Sequence, residues 1–483
     1  MRKRGSALTF LAGGAAGIAA VLWLWPEVFR TVFTAMARRF LRRRVMPMPY
    51  HLLDKRTLRS FMHEAPPLVR LAVTDPFLEN IQSVIQETQR THLQAAQNPP
   101  ASDTAVVHYL AQTGLLEEIG LDTATALGEI RGLDASLHHL QPKSPFTEYH
   151  GPTPPAAPVR LPGEFEPIGA VILAWPVFYP YRWRWHAEFA AQVTTEAEAH
   201  ILVPNAFWQK GVELYLRQRQ IPLQGIRFLH IPTDDVWTRD YGPTVVLRES
   251  DGQSLVIANP YAPRLSPYTK SNNEVPLALG RYYGVPVHRL PLVMEGGNIH
   301  SDGQGTFILF DATFARNPDV SPDRLEDMFR RFFGAKRLIV LPTLTHEGTG
   351  HIDMAVKFLD VDSLLVAQSR PGQRWHGEFE ALAEQLGQMS SSSGRRYRIV
   401  RGPIVEDRRF QFHFWSYINS LTLNSKVIIP RFGVETDRLA QRIYQEHMPG
   451  YEIVAIDFRD FPVGASHCQS KEVPLPLVLG LRP

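Results

Sequence analysis

The sequence predicts an α/β fold in which five strand–helix units repeat and close into a ring around a pseudo-fivefold axis. From residue 168 onward, apolar strand-like runs alternate with amphipathic helix-like runs at a roughly constant period, and such self-similarity is typical of repeated architectures. Polar residues recur along the same stretch at separations of 55, 56, 68 and 49 residues. These residues are Asp240, Glu295, His351 with Asp353, Asn419 and Cys468. A closed ring would bring one of these polar positions from each unit to its centre, and we call each such position a polar corner.

Hairpins and helices account for the repeat. The four predicted hairpins span residues 239–260, 295–312, 351–368 and 417–432. The first two turn at Asp-Gly, which is a strong short-range hairpin signal. The predicted helices span residues 185–199, 273–283, 321–333, 375–389 and 435–447. Apolar residues at helical spacing in the third helix predict one face turned to the core: Leu325, Met328, Phe329, Phe332 and Phe333.

The first 45 residues predict a membrane anchor or an uncleaved signal. Residues 5–26 carry no charge and include the neighbouring Trp23 and Trp25, and about 20 apolar residues can span a bilayer as a helix. Basic residues flank this segment on both sides, so its orientation stays open. The arginine-rich run 31–45 is suited to an anionic membrane surface. We expect membrane association through residues 5–26; the alternatives are a secreted or periplasmic protein, or a cytoplasmic one.

Three further segments follow this anchor. Residues 46–140 contain helical patches and predict a small helical region. Residues 141–158 are dense in proline, which continues neither a helix nor a central strand, and they predict a linker. Residues 159–483 contain the repeats and predict the main domain.

Composition excludes several function classes. The chain of 483 residues is 44% hydrophobic and 20% charged, which is ordinary for a globular protein with a sizeable core. The formal net charge of +3 divides into +8 in residues 1–44 and −5 in the remainder, so no basic face argues for nucleic acid. Cys468 is the only cysteine, which excludes an intrachain disulfide and a zinc–thiolate cluster.

One histidine and one carboxylate lie two positions apart, at His351 and Asp353. They stand at the start of a predicted strand, and side chains at i and i+2 of a strand point to the same face. We therefore expect both side chains in one pocket, although such a pair on a strand is more often a structural one.

Four motifs resemble the agmatine deiminase and bacterial peptidyl-arginine deiminase branch of the guanidine-modifying enzymes. They are WTRDYGP at 237–243, EGGNIH at 295–300, GHID at 350–353 and HC at 467–468. The resemblance spans residues 159–479 and implies a pentein fold, a fivefold αβ-propeller. It also implies that Asp240 and Asp353 bind a guanidinium, that Cys468 is the nucleophile and that His351 is the general acid and base.

A site that reacts with a guanidinium needs carboxylates and a cysteine-type nucleophile. The group is planar, permanently charged and a poor electrophile, so its site needs carboxylates to hold it and a soft nucleophile to attack its carbon. The implied path forms a covalent amidino-thioether, releases ammonia and ends with hydrolysis to a ureido product. This path needs no metal and no organic cofactor.

Four supporting residues each have two interpretations. Glu295 orients His351 or touches the substrate, or it caps a loop. Trp237 stacks on the guanidinium, or it belongs to the core. Arg239 contacts substrate or forms an internal salt bridge, and Asn419 contacts substrate or serves a turn.

The substrate stays open at this stage. Family members acting on small molecules usually have a run of glycines before the His-Cys pair, whereas residues 461–466 contain only Gly464. The candidates are agmatine, converted to N-carbamoylputrescine for putrescine synthesis, and peptidyl-arginine, converted to citrulline. The alternatives are an amidinotransferase that uses the same cysteine and a membrane-tethered protein that binds guanidinium without turnover. The oligomeric state is open.

Overall fold

The computed structural model describes residues 100–177, 179–262, 270–406, 413–459 and 465–481, which belong to one compact unit, Thr91–Pro483. The predicted membrane segment 5–26 and the basic run 31–45 lie outside the described residues. Within the described ranges, no helix combines the length and the apolar character needed to cross a bilayer. Membrane association, localisation and the predicted domain boundaries at 45, 140 and 158 therefore stay predictions.

Helices and strands alternate through this unit. The α-helices are α1 (Asp103–Gln112), α2 (Leu115–Glu118), α3 (Thr123–Arg131), α4 (Trp183–Val193), α5 (Ala206–Gln218), α6 (Thr238–Tyr241), α7 (Lys270–Tyr283), α8 (Ala312–Arg316), α9 (Pro322–Phe333), α10 (His376–Gln388), α11 (Thr436–His447) and α12 (Leu475–Leu479). The strands are β1 (Val159–Arg160), β2 (Ile168–Ala174), β3 (Glu198–Val203), β4 (Ile226–His230), β5 (Thr244–Arg248), β6 (Ser254–Ala258), β7 (Val287–Arg289), β8 (His300–Ser301), β9 (Thr306–Phe310), β10 (Arg337–Leu341), β11 (Val356–Asp360), β12 (Ser363–Gln368), β13 (Arg398–Glu406), β14 (Phe414–Ser416), β15 (Leu421–Leu423), β16 (Lys426–Arg431), β17 (Glu452–Asp457) and β18 (Lys471–Pro474). Short 3-10 turns lie at Pro180–Arg182, Gly296–Asn298 and Ile352–Met354.

The strands form five small sheets. Their orders are β18-β2-β3-β4, β1-β5-β6-β7, β8-β9-β10, β11-β12-β13-β14 and β15-β16-β17. Each sheet contains the same unit, in which an antiparallel pair is followed by a parallel third strand, with a helix between the second strand and the third. The prediction of an α/β fold with five strand–helix units is confirmed.

The first sheet takes one strand from each end of this unit. Strand β18 pairs antiparallel with β2, and Glu472 lies opposite Val171 in the register. The C-terminal strand therefore completes the unit that β2 begins, and it joins the last repeat to the first. No hairpin signal predicts this pair, because its two strands are far apart in the chain.

The predicted helices are present, with one displaced boundary. The segment 185–199 is helical only as α4, and its last residues enter β3 instead. Helix α5 was not predicted. The apolar stripe of α9 is buried as expected. Ser321 caps the start of α9 by accepting a hydrogen bond from the backbone N–H of Arg324, and Gly334 ends the helix in the left-handed conformation.

Residues 100–158 pack onto the repeats. Helix α1 lies against α5, where a Cβ on Gly211 would be 2.6 Å from Val106 Cγ1. The proline-dense segment runs along the edge of the second sheet, and the backbone N–H of His150 donates to the carbonyl oxygen of Val287 at 2.9 Å. Extended backbone of this kind suits proline.

In every unit the polar corner immediately precedes the first strand of the antiparallel pair. Asp240 lies in α6 just before β5, Asn419 two residues before β15 and Cys468 three residues before β18. The expectation that His351 and Asp353 begin a strand is wrong, because the 3-10 turn Ile352–Met354 separates His351 from β11. The repeated position is what directs these side chains to one place.

Because the end of α9 lies very close to β1, we expect alanine at Gly334 to destabilise the fold. Gly334 has φ of +76°, and a Cβ there would lie 1.8 Å from the carbonyl oxygen of Val159, whereas Gly372 has φ of +84° with no atom within 4 Å. Alanine at either position costs roughly 1–2 kcal/mol for the left-handed backbone, and Gly334→Ala adds about 1–3 kcal/mol of overpacking. Urea unfolding of both variants measures the difference. Equal destabilisation of the two variants would show that β1 does not pack on this helix end.

Candidate active site

The cysteine lies at the centre of the cluster and is almost completely buried. Cys468 is 5% exposed, and its Sγ lies 3.6 Å from Asp353 Oδ2. Burial raises the pKa of the Cys468 thiol well above its ordinary value, and the nearby charges of Asp353 and Asp240 raise it further. With the site empty, the sulfur is therefore a thiol at neutral pH.

Asn419 holds the cysteine in place. Its Oδ1 accepts hydrogen bonds from the backbone N–H groups of Cys468 at 3.1 Å and Ala465 at 2.9 Å, and its Nδ2 lies 2.9 Å from Cys468 Sγ as a donor. The side chain is fully buried. The amide thus satisfies two loop N–H groups and fixes the sulfur, so the structure places Asn419 against the predicted nucleophile.

The histidine lies between two carboxylates. His351 Nε2 makes a short hydrogen bond to Glu295 Oε2, and its Nδ1 lies 3.7 Å from Asp240 Oδ1. Burial opposes the charged ring, but Asp240, Glu295 and Asp353 outweigh burial and raise the pKa of His351 to about 10. His351 therefore carries a proton at neutral pH, and a buried imidazolium can act as an acid.

Glu295 is held from its other side by an arginine that the sequence did not single out. Arg316 Nη1 lies 2.9 Å from Glu295 Oε1, and Arg316 Nη2 donates to the carbonyl oxygen of Thr349. Burial would raise the pKa of Glu295, but the hydrogen bond and charge of His351, together with Arg316, lower it. Glu295 is thus an ionised partner that orients His351.

Gly297 is required for the approach of Asp240 to His351. The backbone N–H of Gly297 donates to Asp240 Oδ1 at 3.0 Å. A Cβ at this position would lie 2.6 Å from His351 Nδ1 and 2.9 Å from Asp240 Oδ1. The glycine therefore serves close packing of the turn. Burial raises the pKa of Asp240.

The two carboxylate oxygens of Asp353 differ in their hydrogen bonding. Its Oδ2 accepts from His467 Nδ1 at 2.8 Å, while its buried Oδ1 has no hydrogen-bond partner among the described residues. Burial raises the pKa of Asp353 to about 7, with the charge of His351 acting against this rise. An unsatisfied buried acceptor beside the thiol is a place for a cationic donor.

His467 is the neighbour whose role the sequence did not reveal. It is buried, stacks on the ring of His300 at 5.3 Å and donates to Asp353. Burial lowers the pKa of His467 well below its ordinary value, so the ring is neutral. A neutral donor fixes the orientation of Asp353. Only the adjacency of His467 and Cys468 pointed to it in the sequence.

Arg239 and Trp237 are placed differently from the other predicted residues. The Arg239 guanidinium forms a bidentate ion pair with Glu472. Its Nε donates a hydrogen bond to the carbonyl oxygen of His467. The ion pair is the internal salt bridge that the sequence left open as an alternative. Trp237 is half-buried, and its ring lies 5.6 Å from the Arg182 guanidinium carbon.

One group of side chains has the spacing of a metal site. The ligating atoms of Glu164, His467 and Glu472 lie within 4.8 Å of one another. Lys357 and Arg239 already form ion pairs with the two carboxylates. The carboxylates that a metal ion would need are therefore already paired with cationic side chains.

The comparisons with known proteins agree with this geometry. Residues 160–474 match the family described as Porphyromonas-type peptidyl-arginine deiminase. A Selenomonas ruminantium protein provisionally named agmatine deiminase is 29% identical over 370 residues, covering 67% of this chain and 97% of that protein. A Vibrio parahaemolyticus protein with the same provisional name is 27% identical, covering 67% and 98% of the two chains.

A solved structure shows the same fold. The agmatine deiminase of Enterococcus faecalis superposes with a TM-score of 0.58 at 22% identity, covering 65% of this chain and 96% of that chain. The predicted pentein-type architecture is thereby confirmed. The family match extends over most of the chain, from β1 to β18. The chain belongs to the Porphyromonas-type peptidyl-arginine deiminase family, whose relatives include the agmatine deiminases.

Proposed function

We propose that the chain hydrolyses a guanidino group to a ureido group and ammonia through a covalent intermediate on Cys468. The observation that carries the proposal is the open Oδ1 of Asp353, which is buried without a partner among the described residues beside the thiol. A guanidinium offers the donors and the charge that this oxygen lacks. His351 supplies the proton that the leaving nitrogen needs.

The two aspartates bind the substrate. Asp353 and Asp240 both approach the space between Cys468 and His351, and both are almost fully buried. Ionised carboxylates accept paired hydrogen bonds from the fixed fork of a guanidinium. Because the cation would neutralise repulsion between these carboxylates, binding and the ionisation of Asp353 support each other.

Substrate binding also ionises the nucleophile. The thiol pKa is high because Cys468 is buried and faces two carboxylates. A guanidinium placed between the carboxylates offsets their charge and lowers that pKa, since an opposite charge nearby favours the ionised form. The reactive thiolate therefore forms only with substrate in place.

His351 donates a proton in the first half of the reaction and accepts one in the second half. The Cys468 sulfur forms a bond to the guanidinium carbon, and the resulting tetrahedral adduct loses ammonia after His351 donates its proton to the leaving nitrogen. The neutral His351 then accepts a proton from water as the water oxygen attacks the same carbon. The carbon–sulfur bond of this second adduct then breaks while its hydroxyl proton passes to the released ammonia, which gives the ureido product, ammonium and the Cys468 thiolate.

Agmatine and peptidyl-arginine are the two substrates that the relatives favour. Curated relatives are provisionally named agmatine deiminases, and the matching family is described by peptidyl-arginine. Residues 460–464, which precede Cys468 in the sequence, lie outside the described residues. An amidinotransferase or a guanidinium-binding protein would share the same first contacts. The predicted segment 5–26 would hold the enzyme at a membrane.

The resting thiol can be titrated directly. Alkylation by iodoacetamide reports on Cys468 alone because no other cysteine exists in the sequence. Asp353→Asn removes a nearby negative charge, so the thiol pKa should fall by about one unit or more. The pH midpoint of the alkylation rate measures this shift. Asp251→Asn, in an exposed turn, is the matched control. An unchanged midpoint in the Asp353 variant would contradict the electrostatic account.

Activity assays test the reaction and separate its alternatives. With agmatine, arginine and an arginine peptide, the wild-type protein should release ammonia and ureido product from at least one substrate. Cys468→Ala should lose at least about 10³-fold in kcat because the covalent route is gone. Asp251→Asn should retain activity. Substrate binding without turnover would identify a binding protein, and amidino transfer to an added amine would identify a transferase. Full activity in Cys468→Ala would show that the reaction does not proceed through a covalent intermediate on Cys468.

The pH dependence follows from two groups of the free enzyme. Asp353, with a pKa of about 7, must be ionised to bind the cation, so kcat/KM should rise with pH up to about 7. His351, with a pKa of about 10, must carry its proton, so kcat/KM should fall above about 10. A bell-shaped profile results. Initial rates from pH 5 to 11 measure it, and a profile that is flat through pH 7 would remove Asp353 from this role.

A further inference from the structure

A second cavity lies beside the candidate site, and neither Cys468 nor Asp353 lines it. It opens between β18, β5, β8 and the loop 161–168. Seven of its lining side chains are titratable: Glu164, Glu166, Arg239, His300, His467, Lys471 and Glu472. The proposed guanidine chemistry does not use this space.

Two polar groups in the cavity wall lack partners. The Lys471 ammonium makes no hydrogen bond or ion pair with any described residue, although the side chain is 7% exposed. His300 Nε2 is likewise buried without a partner in the described part of the chain. A buried imidazole nitrogen without a partner is costly, so His300 Nε2 indicates a ligand or ordered solvent.

The carboxylates around the cavity cannot satisfy these groups because each has its own cation. Glu164 pairs with Lys357, Glu472 pairs with Arg239, and Glu166 pairs with Arg160. Lys471 is thus a cation in excess of the available carboxylates.

The potential in the cavity is positive. Burial, followed by the charge of Arg239, lowers the pKa of Lys471 to about 7. Burial, followed by the charges of Lys357, Arg239 and Lys471, lowers the pKa of His300 well below its ordinary value. Burial disfavours an ion of either sign, but the charges of Lys357, Arg239 and Lys471 that act against a protonated His300 would attract an anion.

We propose that this cavity binds one small inorganic anion, a halide or a compact oxyanion, between Lys471 and His300. The cavity volume of about 80 Å³ suits a few water-sized groups. Nucleotides and organic acids with long tails are too large. The anion would accept hydrogen bonds from the ammonium and from the imidazole N–H.

A divalent cation is the competing occupant. Glu164, His467 and Glu472 have suitable spacing for one. Lys357 and Arg239 would have to give up their carboxylates to make room for it, and Lys471 would repel it. The charges of the cavity therefore favour the anion.

The cavity also touches the turn that carries Glu295. Lys471 Nζ lies 3.1 Å from the point where a Cβ on Gly296 would lie, and Gly297 in the same turn binds Asp240. An anion that fixes Lys471 would stabilise this turn, so the ligand should stabilise the fold whether or not the deiminase reaction is as proposed.

Thermal unfolding with an anion series tests the proposal. Chloride, bromide, nitrate, bicarbonate and phosphate are each titrated against gluconate, a large anion, at constant ionic strength. At least one small anion should raise Tm saturably, by about 3 °C at a hundredfold excess over its Kd. Lys471→Met should lose this rise, whereas Lys336→Met, at an exposed position, should keep it.

A second measurement covers the case in which Lys471→Met does not fold. Crystals of the wild-type protein soaked in bromide should show an anomalous peak between Lys471 and His300, and His300→Asn should weaken the Tm response at least threefold in apparent Kd. No saturable rise over gluconate, a rise that persists in Lys471→Met, no bromide peak in the cavity, or stabilisation by Mg²⁺ or Zn²⁺ in place of anions would each overturn the proposal.

Discussion

The pairing of β18 with β2 is the contact on which the site depends. It joins the last repeat to the first, and the residues just before β18 include both Cys468 and His467. Each of the other units can form from neighbouring segments of chain, but this one needs strands from opposite ends of the ring. Cys468 therefore reaches the carboxylates only when the ring is closed, so the candidate site and the complete fold form together.

Buried charge is the second constraint. Asp240, Glu295 and Asp353 surround His351, and the mutual repulsion of three carboxylates is offset by one imidazolium and by Arg316. On the other side of His467, cations outnumber carboxylates. We therefore propose opposite preferences for the two neighbouring spaces, one for a cation and one for an anion. The neutral His467 lies between them, with Nδ1 against Asp353 and Nε2 3.7 Å from Glu164.

The sequence predicted the repeat and the five polar corners because both are local patterns with a regular period. The Asp-Gly turns and the stripe of α9 are visible within short windows, and the recurrence from Asp240 to Cys468 is visible as a repeat along the chain. Three features were not accessible. The β18–β2 pair joins Ile172 to Lys471, 299 positions apart, and no local signal selects such a partner. Arg239 and Glu472, and likewise His467 and Asp353, meet only through the ring, so their roles follow from topology. The strand expected at His351 fails because the backbone tightens there to bring the ring nitrogen to Glu295.

A chain with one cysteine has a particular exposure to oxidants. A sulfenic acid formed on Cys468 would have no second thiol among the 483 residues with which to condense, so an external thiol would have to restore it before further oxidation becomes irreversible. The high thiol pKa of the empty site slows the first oxidation, because oxidants attack the thiolate. In the mechanism proposed above, the thiol ionises only while substrate covers the sulfur. The carboxylates that raise the thiol pKa would then also protect this single cysteine from oxidation between reactions.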